Sequence, residues 1–401
     1  MVAEAPVVRA SWFVVIALGI TQIIAWGSIY YAFALLIDPL AIAVSAGKAT
    51  IVGAFSVALL IAGLLSSPIG ALIDRYGGRW VMTIGSVAGA LLLFALSYVN
   101  TVTQLYLVWA CLGPVMAATL YDPAFAVLTQ TFKDQQRKAI TVLTLFGGFA
   151  STVFWPLTQA LIQTRGWQDA LAALALLNLL VCAPLHVLVL PRDSGSSLVI
   201  DHPLVGRAAL KTLLCDPTFY GLCAAFTGNA LVFSAMSVHL ISLLNSKGLS
   251  LADAAWVGAL IGPMQVLGRI LEYVFLSKIP PSRVGTIAMW LLPTSLVLLA
   301  VLHGQSFWFV LFALLYGASN GVVTIVRGAI PIELYGQSNY GAVNGAMATP
   351  VLIAKAAGPI LASLILVAFT NSINLILFLA AVGGVSALFF TITTRMRRLP
   401  S

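Results

Sequence analysis

The sequence predicts an all-α membrane protein with twelve transmembrane helices in two pseudo-symmetric six-helix bundles. Three observations carry this. Hydrophobic residue types make up 61% of the 401 residues and charged types 8%, whereas soluble domains carry about 25% charged residues. The apolar residues fall in runs of roughly 20 or more, the length an α-helix needs to cross the hydrocarbon core. The longest polar break lies mid-chain, with six runs on either side. Too few charges remain to cover a water-facing surface, which excludes a soluble enzyme, a disordered chain and a nucleic-acid-binding domain. The net charge of +8 points to anionic lipid as the partner.

Apolar runs bounded by polar or Gly/Pro breaks place the spans at about 12–37, 49–72, 80–99, 104–128, 139–162, 168–190, 219–244, 252–276, 284–302, 306–328, 342–368 and 373–394. The first run begins near Ser11 and is too long for the apolar region of a signal peptide, so it is expected to remain as a helix. The break from Pro191 to Thr218 holds Arg192, Asp193, Ser194, Gly195, Ser196, Ser197, Asp201 and His202, which is linker chemistry. The expected organisation is an N-terminal bundle over 1–190, a cytoplasmic linker over 191–218 and a C-terminal bundle over 219–401. Of the four cysteines (Cys111, Cys182, Cys215 and Cys223), none forms a CxxC pair, and they read as small buried hydrophobes.

The cations orient the chain. With the N-terminus inside, the inner segments hold Arg9; Arg75 and Arg79; Lys133, Arg137 and Lys138; Arg192, Arg207 and Lys211; Lys278 and Arg283; and Arg395, Arg397 and Arg398. The outer loops hold only Lys48, Arg165 and Lys247. This bias places both termini in the cytoplasm; the membrane expected for the chain is a cell inner membrane. Arg269, Arg327 and Lys355 remain, and all three fall inside spans.

Between spans two and three stands Gly70-Ala-Leu-Ile-Asp74-Arg75-Tyr-Gly77-Gly78-Arg79-Trp80. It resembles the G-x-x-x-D-R-x-G-R-[KR] signature of the major facilitator superfamily, in the expected loop of a 6+6 chain. The glycines permit a tight turn and close helix approach. Asp74 can sit at the N-terminal end of a neighbouring helix, and Arg75 and Arg79 can bridge helices or bind headgroups. We read Gly70, Asp74, Arg75, Gly77 and Arg79 as a conformational latch rather than a substrate site. The loop after span eight, Ser277 to Arg283, lacks the signature. The resemblance implies two halves with the substrate near the midplane. An internal echo is consistent with duplication: Gly113–Phe132 of span four can be laid beside Gly317–Gly336 of span ten.

Charges within spans are costly, roughly 2.5–3.5 kcal/mol each at a helix centre, and mark pathways by default. Lys355 lies thirteen residues past Ala342, about 20 Å into span eleven and near its midplane. It is either neutralised by an acidic partner or part of a substrate path. Arg269 has Glu272 at i+3 on one helix face. That arrangement is a local ion pair or a guanidinium aimed at a substrate carboxylate. Here the resemblance narrows to the branch of the monocarboxylate transporters and the oxalate–formate antiporter. In that branch an Arg in span eight, and in the antiporter also a Lys in span eleven, bind the anion. Arg269 and Lys355 match those positions, and Ile20–Tyr31 looks like the first span of bacterial members. The first-span Lys of the animal transporters is absent, so a transported proton would need Glu272, Asp122 or His239. Arg327 is a gate, interface or substrate contact; Asp122 is a gate partner or a protonatable site. Trp26, Tyr30 and Tyr31 supply an aromatic wall with hydroxyl donors. Asn229, His239, Gln265, Asn320 and Asn344 are polar groups in or at the ends of spans. Each serves as an interhelical link or as a ligand.

Three other readings remain, the last a non-transporting sensor or scaffold, which would need a soluble output domain larger than the linker or the tails. Drug–proton efflux carriers of the superfamily carry an Arg four residues before the span-four glycine, where this chain has Trp109 before Gly113. Their span-five motif is also incomplete in Gly147-Gly148-Phe-Ala-Ser-Thr-Val-Phe-Trp-Pro156. Met236-x-x-His239 with Met264 offers soft ligands for Cu(I), but three intramembrane cations would repel a metal. The expected function is secondary active transport of a small organic anion, coupled to a proton or to anion exchange. Substrate contacts are expected from Arg269, Lys355, Tyr30, Tyr31, Trp26, Arg327, Asn229 and Gln265. No catalytic residue, cofactor or resident metal is expected; the partners are the anionic substrate and the bilayer, and the carrier is expected to work as a monomer.

Overall fold

The computed structural model describes residues 7–132, 135–191, 213, 215–302, 307–337, 340–369 and 371–396, without the side chains of 7–11, 251, 252 and 255. Lys133, residues 192–212 of the linker, Arg397 and Arg398 lie outside the described residues, as does the side chain of Arg9.

Among the described residues, twelve helices are long and apolar enough to cross a membrane, and no strand forms. They run Trp12–Ala43, Lys48–Tyr76, Gly78–Leu96, Val102–Thr131, Gln136–Arg165, Trp167–Val189, Pro217–Ser246, Trp256–Leu276, Pro281–Val301, Trp308–Tyr335, Tyr340–Ala368 and Ser372–Met396. The all-α, twelve-helix class expected from composition is the class found. Spans one, two and ten extend a turn or more past the C-terminal ends of their apolar runs, because hydropathy marks the lipid-crossing part and backbone hydrogen bonding continues beyond it. Span two stops at Gly77, whose φ of 76° suits glycine and whose N–H bonds the Ile73 carbonyl at 2.8 Å.

Hydropathy does not register interruptions inside a span, and several occur. Spans one, six and eight contain π turns at Trp26–Tyr31, Asn178–Cys182 and Glu272–Leu276. In the first, the Ala32 N–H reaches five residues back to the Gly27 carbonyl at 2.9 Å. Span four breaks at Leu120, which takes extended backbone angles. The cause lies three residues on: Pro123 has no N–H to give the Thr119 carbonyl. Gln22 of span one fills the gap, its Nε2 donating to Thr119 O at 2.8 Å.

The chain divides into two compact units, Met1–Ala209 with Gln337–Thr349, and Leu210–Gly336 with Pro350–Ser401. The start of span eleven therefore groups with the first unit. The reason is a backbone-to-backbone contact: a Cβ on Gly70 of span two would overlap the Gly341 carbonyl. Thr349 Oγ1 also donates to the Gly63 carbonyl. In the second unit, spans eight and ten cross equally closely. A Cβ on Gly317 would come within 2.9 Å of the Ile261 carbonyl oxygen, and one on Gly321 would overlap that of Gln265. Gly113, laid beside Gly317 on sequence grounds, likewise faces the second helix of its own half, at Ala58 and Ile61. The second unit's core gathers Val232, Met236, Leu296, Phe312, Tyr316 and Leu379. All four cysteines are free, but only Cys182 and Cys223 are buried. The expectation of burial fails for Cys111 and Cys215. Cys111 stands on an apolar helix, where the lipid-facing side is apolar without being covered by protein.

Candidate functional site

The buried charge of the second unit starts at the span eight–span ten crossing. Because Gly321 has no side chain, the backbone of span ten lies against that of span eight at Gln265, one turn before Arg269. Arg269 is 4% exposed, and its Nε donates to the Gly321 carbonyl at 3.4 Å. Glu272, 1% exposed, opens the π turn one helical turn later. Gln265 and Arg327 are half-buried on spans eight and ten.

Lys355 is half-buried on span eleven, and its carbonyl accepts a hydrogen bond from Ser234 Oγ of span seven. One turn on, a Cβ at Gly358 would come within 2.7 Å of the Leu231 carbonyl oxygen, so the two helices run in close contact there. His239 Nε2 lies 3.2 Å from the Pro359 carbonyl and 3.2 Å from Ser363 Oγ. A carbonyl only accepts, so Nε2 carries the hydrogen of that bond. Asn229 is 4% exposed, and its Nδ2 has no hydrogen-bond partner among the described residues. Met236 is fully buried in the apolar core, whereas His239, three residues on, turns to span eleven.

The first unit holds the aromatic wall. Trp26 lies 5.1 Å from Tyr30 and 6.2 Å from Tyr31 between ring centroids, and the two tyrosines lie 5.5 Å apart. The group continues to Tyr121 of span four, Phe55 of span two and Trp155 of span five. Trp109, where efflux carriers have Arg, is 1% exposed and packs edge-on against Phe33 and Phe55. Asp122 accepts from Asn344 Nδ2 at 3.1 Å; Asn344 is fully buried at the start of span eleven.

In the loop signature, Asp74 Oδ1 accepts from the Gly341 N–H at 3.0 Å, and Oδ2 accepts from the Ala342 N–H at 2.9 Å. These are first-turn donors of span eleven, which have no partner within the helix. Gln130 of span four adds a third bond at 3.3 Å. Arg75 and Arg79 lie over the rings of Tyr76 and Trp80.

Sequence reasoning passed over a buried polar ladder on span six. Asn178 Nδ2 donates to Ser28 Oγ of span one at 2.8 Å. His186 places Nε2 3.0 Å from Thr21 Oγ1 of span one and Nδ1 3.0 Å from Ser86 Oγ of span three. Both Asn178 and His186 are 1% exposed. The signal was present, since polar groups within an apolar run deserve the scrutiny given to Lys355.

The described geometry has relatives. Residues 12–359 match the family model described as Major Facilitator Superfamily. The chain is 27% identical over 273 residues to monocarboxylate transporter 13 of Rattus norvegicus, an alignment covering 67% of this chain and 63% of that protein. It thus spans less than two thirds of that relative's length. Among solved structures it resembles the human organic anion transporter MFSD10, with TM-score 0.72 and 16% identity over 96% of this chain and 100% of that one. It also resembles the E. coli fucose:proton symporter FucP, with TM-score 0.75 and 14% identity over 97% and 99%. At such identities the structural likeness speaks for the fold alone. With the family match covering most of the sequence and twelve apolar helices among the described residues, the chain belongs to the major facilitator superfamily and is a multi-pass membrane protein.

Proposed function

We propose that this transporter moves a small organic anion, most simply a monocarboxylate, by alternating access of two six-helix bundles joined by the 191–218 linker. The observation that supports this most is the burial of Arg269 beside Glu272 in span eight, with Lys355 half-buried in span eleven. A guanidinium presents a planar fork that fits a carboxylate, and an ammonium adds a point charge. Arg269 and Lys355 hold the anion, with Arg327, Gln265 and Asn229 as further polar contacts. Trp26, Tyr30 and Tyr31 give apolar and hydroxyl contacts to the rest of the substrate. The names of two relatives, a monocarboxylate transporter and an organic anion transporter, agree with this class.

Coupling is to a proton carried by Glu272, Asp122 or His239, or to a counter-transported anion. The signature residues Gly70, Asp74, Arg75, Gly77 and Arg79 act as a latch. We further propose an inner-membrane location with both termini cytoplasmic, from the cation bias, and a single working chain.

Ligand-dependent thermal stability of the purified protein tests the reading. Members of a carboxylate panel should raise the unfolding temperature of the wild type and leave Lys355→Ala and Arg269→Gln unmoved. Stabilisation by Cu(I) alone, or by hydrophobic cations alone, would replace the anion with that ligand.

A further inference from the structure

Among its described residues the first unit contains two π turns, and they are joined to each other. One is Trp26–Tyr31 of span one and the other is Asn178–Cys182 of span six. Each lies at the middle of its span, within Trp12–Ala43 and Trp167–Val189. Asn178 spends both amide hydrogens here, donating to Ser28 Oγ at 2.8 Å and to the Leu174 carbonyl at 2.9 Å. Ser28, 2% exposed, passes its own hydrogen to the Ile24 carbonyl at 2.7 Å. Such bonding to the carbonyl four residues back bends helices. Single π turns inside α-helices are rare and concentrate at functional sites.

The π turn also decides where the aromatic side chains go. In an α-helix Tyr30 lies over Trp26, and Tyr31 points away. Five-residue hydrogen bonding, seen in the Ala32–Gly27 bond, stacks residue i+5 over i, so Tyr31 joins the group. That is why all three rings lie within 6.2 Å of one another between centroids. The opposite side of the turn is fixed by packing: Gly27 abuts the Phe154 ring, and Trp155 Nε1 donates to the Tyr31 carbonyl at 3.1 Å. The Asn178–Ser28 bond is a buried polar link that ties this turn to span six.

We propose that Asn178 and Ser28 are positioning residues: their bond holds the span-one π turn in place, and so sets which substrate shapes the Trp26–Tyr30–Tyr31 wall accepts. This rests on the reading that the wall contacts substrate. Neither residue itself needs to touch the substrate.

The test is a double-mutant cycle of Ser28→Ala, Asn178→Leu and the pair, in full-length protein labelled with fluorotryptophan. The Trp26 resonance is identified by its loss in Trp26→Phe. Each single variant should shift that fluorine resonance, and the pair should shift it no further than the larger single effect, as for partners in one interaction. In proteoliposomes, the ratio of uptake efficiency for lactate over benzoate should change by about threefold or more, within the range of coupling between contacting residues. That change should lie in KM, with maximal lactate uptake retained. A Trp26 resonance unmoved by either substitution overturns the proposal. So does a moved resonance with an unchanged ratio. If the wild type carries no carboxylate, the anion reading falls, and the resonance alone decides whether the lock exists. If Asn178→Leu fails to accumulate, Ser28→Ala, which removes a single oxygen, decides between these outcomes by itself.

Discussion

The two units handle interior polarity in opposite ways. Among the described residues, the fully buried charged side chains, Lys247, Arg269 and Glu272, all belong to the second unit. The first unit's buried polar side chains are hydroxyls, amides and His186. These are tied by interhelical bonds such as Gln22–Thr119, Asn178–Ser28 and His186–Ser86. Neutral pairs cost little when satisfied and fix helix positions. Buried charges are costly, and their balance changes when an ion arrives. The contrast is one of chemistry: the first unit's buried polarity is neutral, whereas the second unit's includes charge.

Four experiments can break or sharpen that contrast. The largest effect is expected for Lys355→Ala and Arg269→Gln, each lowering carboxylate uptake efficiency in proteoliposomes by about a hundredfold or more, as for removal of one partner of a desolvated charge pair. Wild-type uptake by either variant would dissolve the asymmetry. Next comes Gly321→Val, which wedges spans eight and ten apart beneath Arg269. Overpacking of this kind costs about 1–3 kcal/mol, so the unfolding temperature in detergent should fall together with transport. A smaller effect is expected for Asp74→Asn. The first unit uses this carboxylate at a helix start rather than in its interior, and the amide keeps only one acceptor oxygen for the two backbone N–H groups. The loss should be about 1 kcal/mol, read as faster hydrogen exchange at Gly341 and Ala342.

The smallest concerns Lys247, which lies outside the spans and donates to the Ala300 carbonyl. Burial pushes its ammonium below the ordinary 10.5. The unfolded chain then holds the proton to higher pH than the folded one, so stability rises with pH in the window below 10.5. Lys247→Met should flatten that rise in a series of unfolding temperatures taken at increasing pH.

The fold was legible because each span announces itself by composition and each turn by Gly, Pro or charge. Arg269 and Lys355 were legible for the same reason, standing out as charges against apolar sequence. Asn178 and His186 were less so. Their partners Ser28, Thr21 and Ser86 lie 100 or more residues away, and nothing local says which helix they face. The π turns were invisible, since a shift in hydrogen-bond register leaves composition untouched. The grouping of Gln337–Thr349 with the first unit was hidden too, because Gly70 and Gly341 meet across 271 positions of sequence.

The pairing of Pro123 with Gln22 has an evolutionary corollary. If Gln22 is lost first, the Thr119 carbonyl is stranded in the interior, at about 1–3 kcal/mol for a buried unsatisfied group. If Pro123 is lost first, its replacement brings an N–H that can take over the same carbonyl once the helix rewinds at Leu120. The two sites are therefore epistatic, and the order of change is directional: descendants of this sequence should shed the proline before the glutamine.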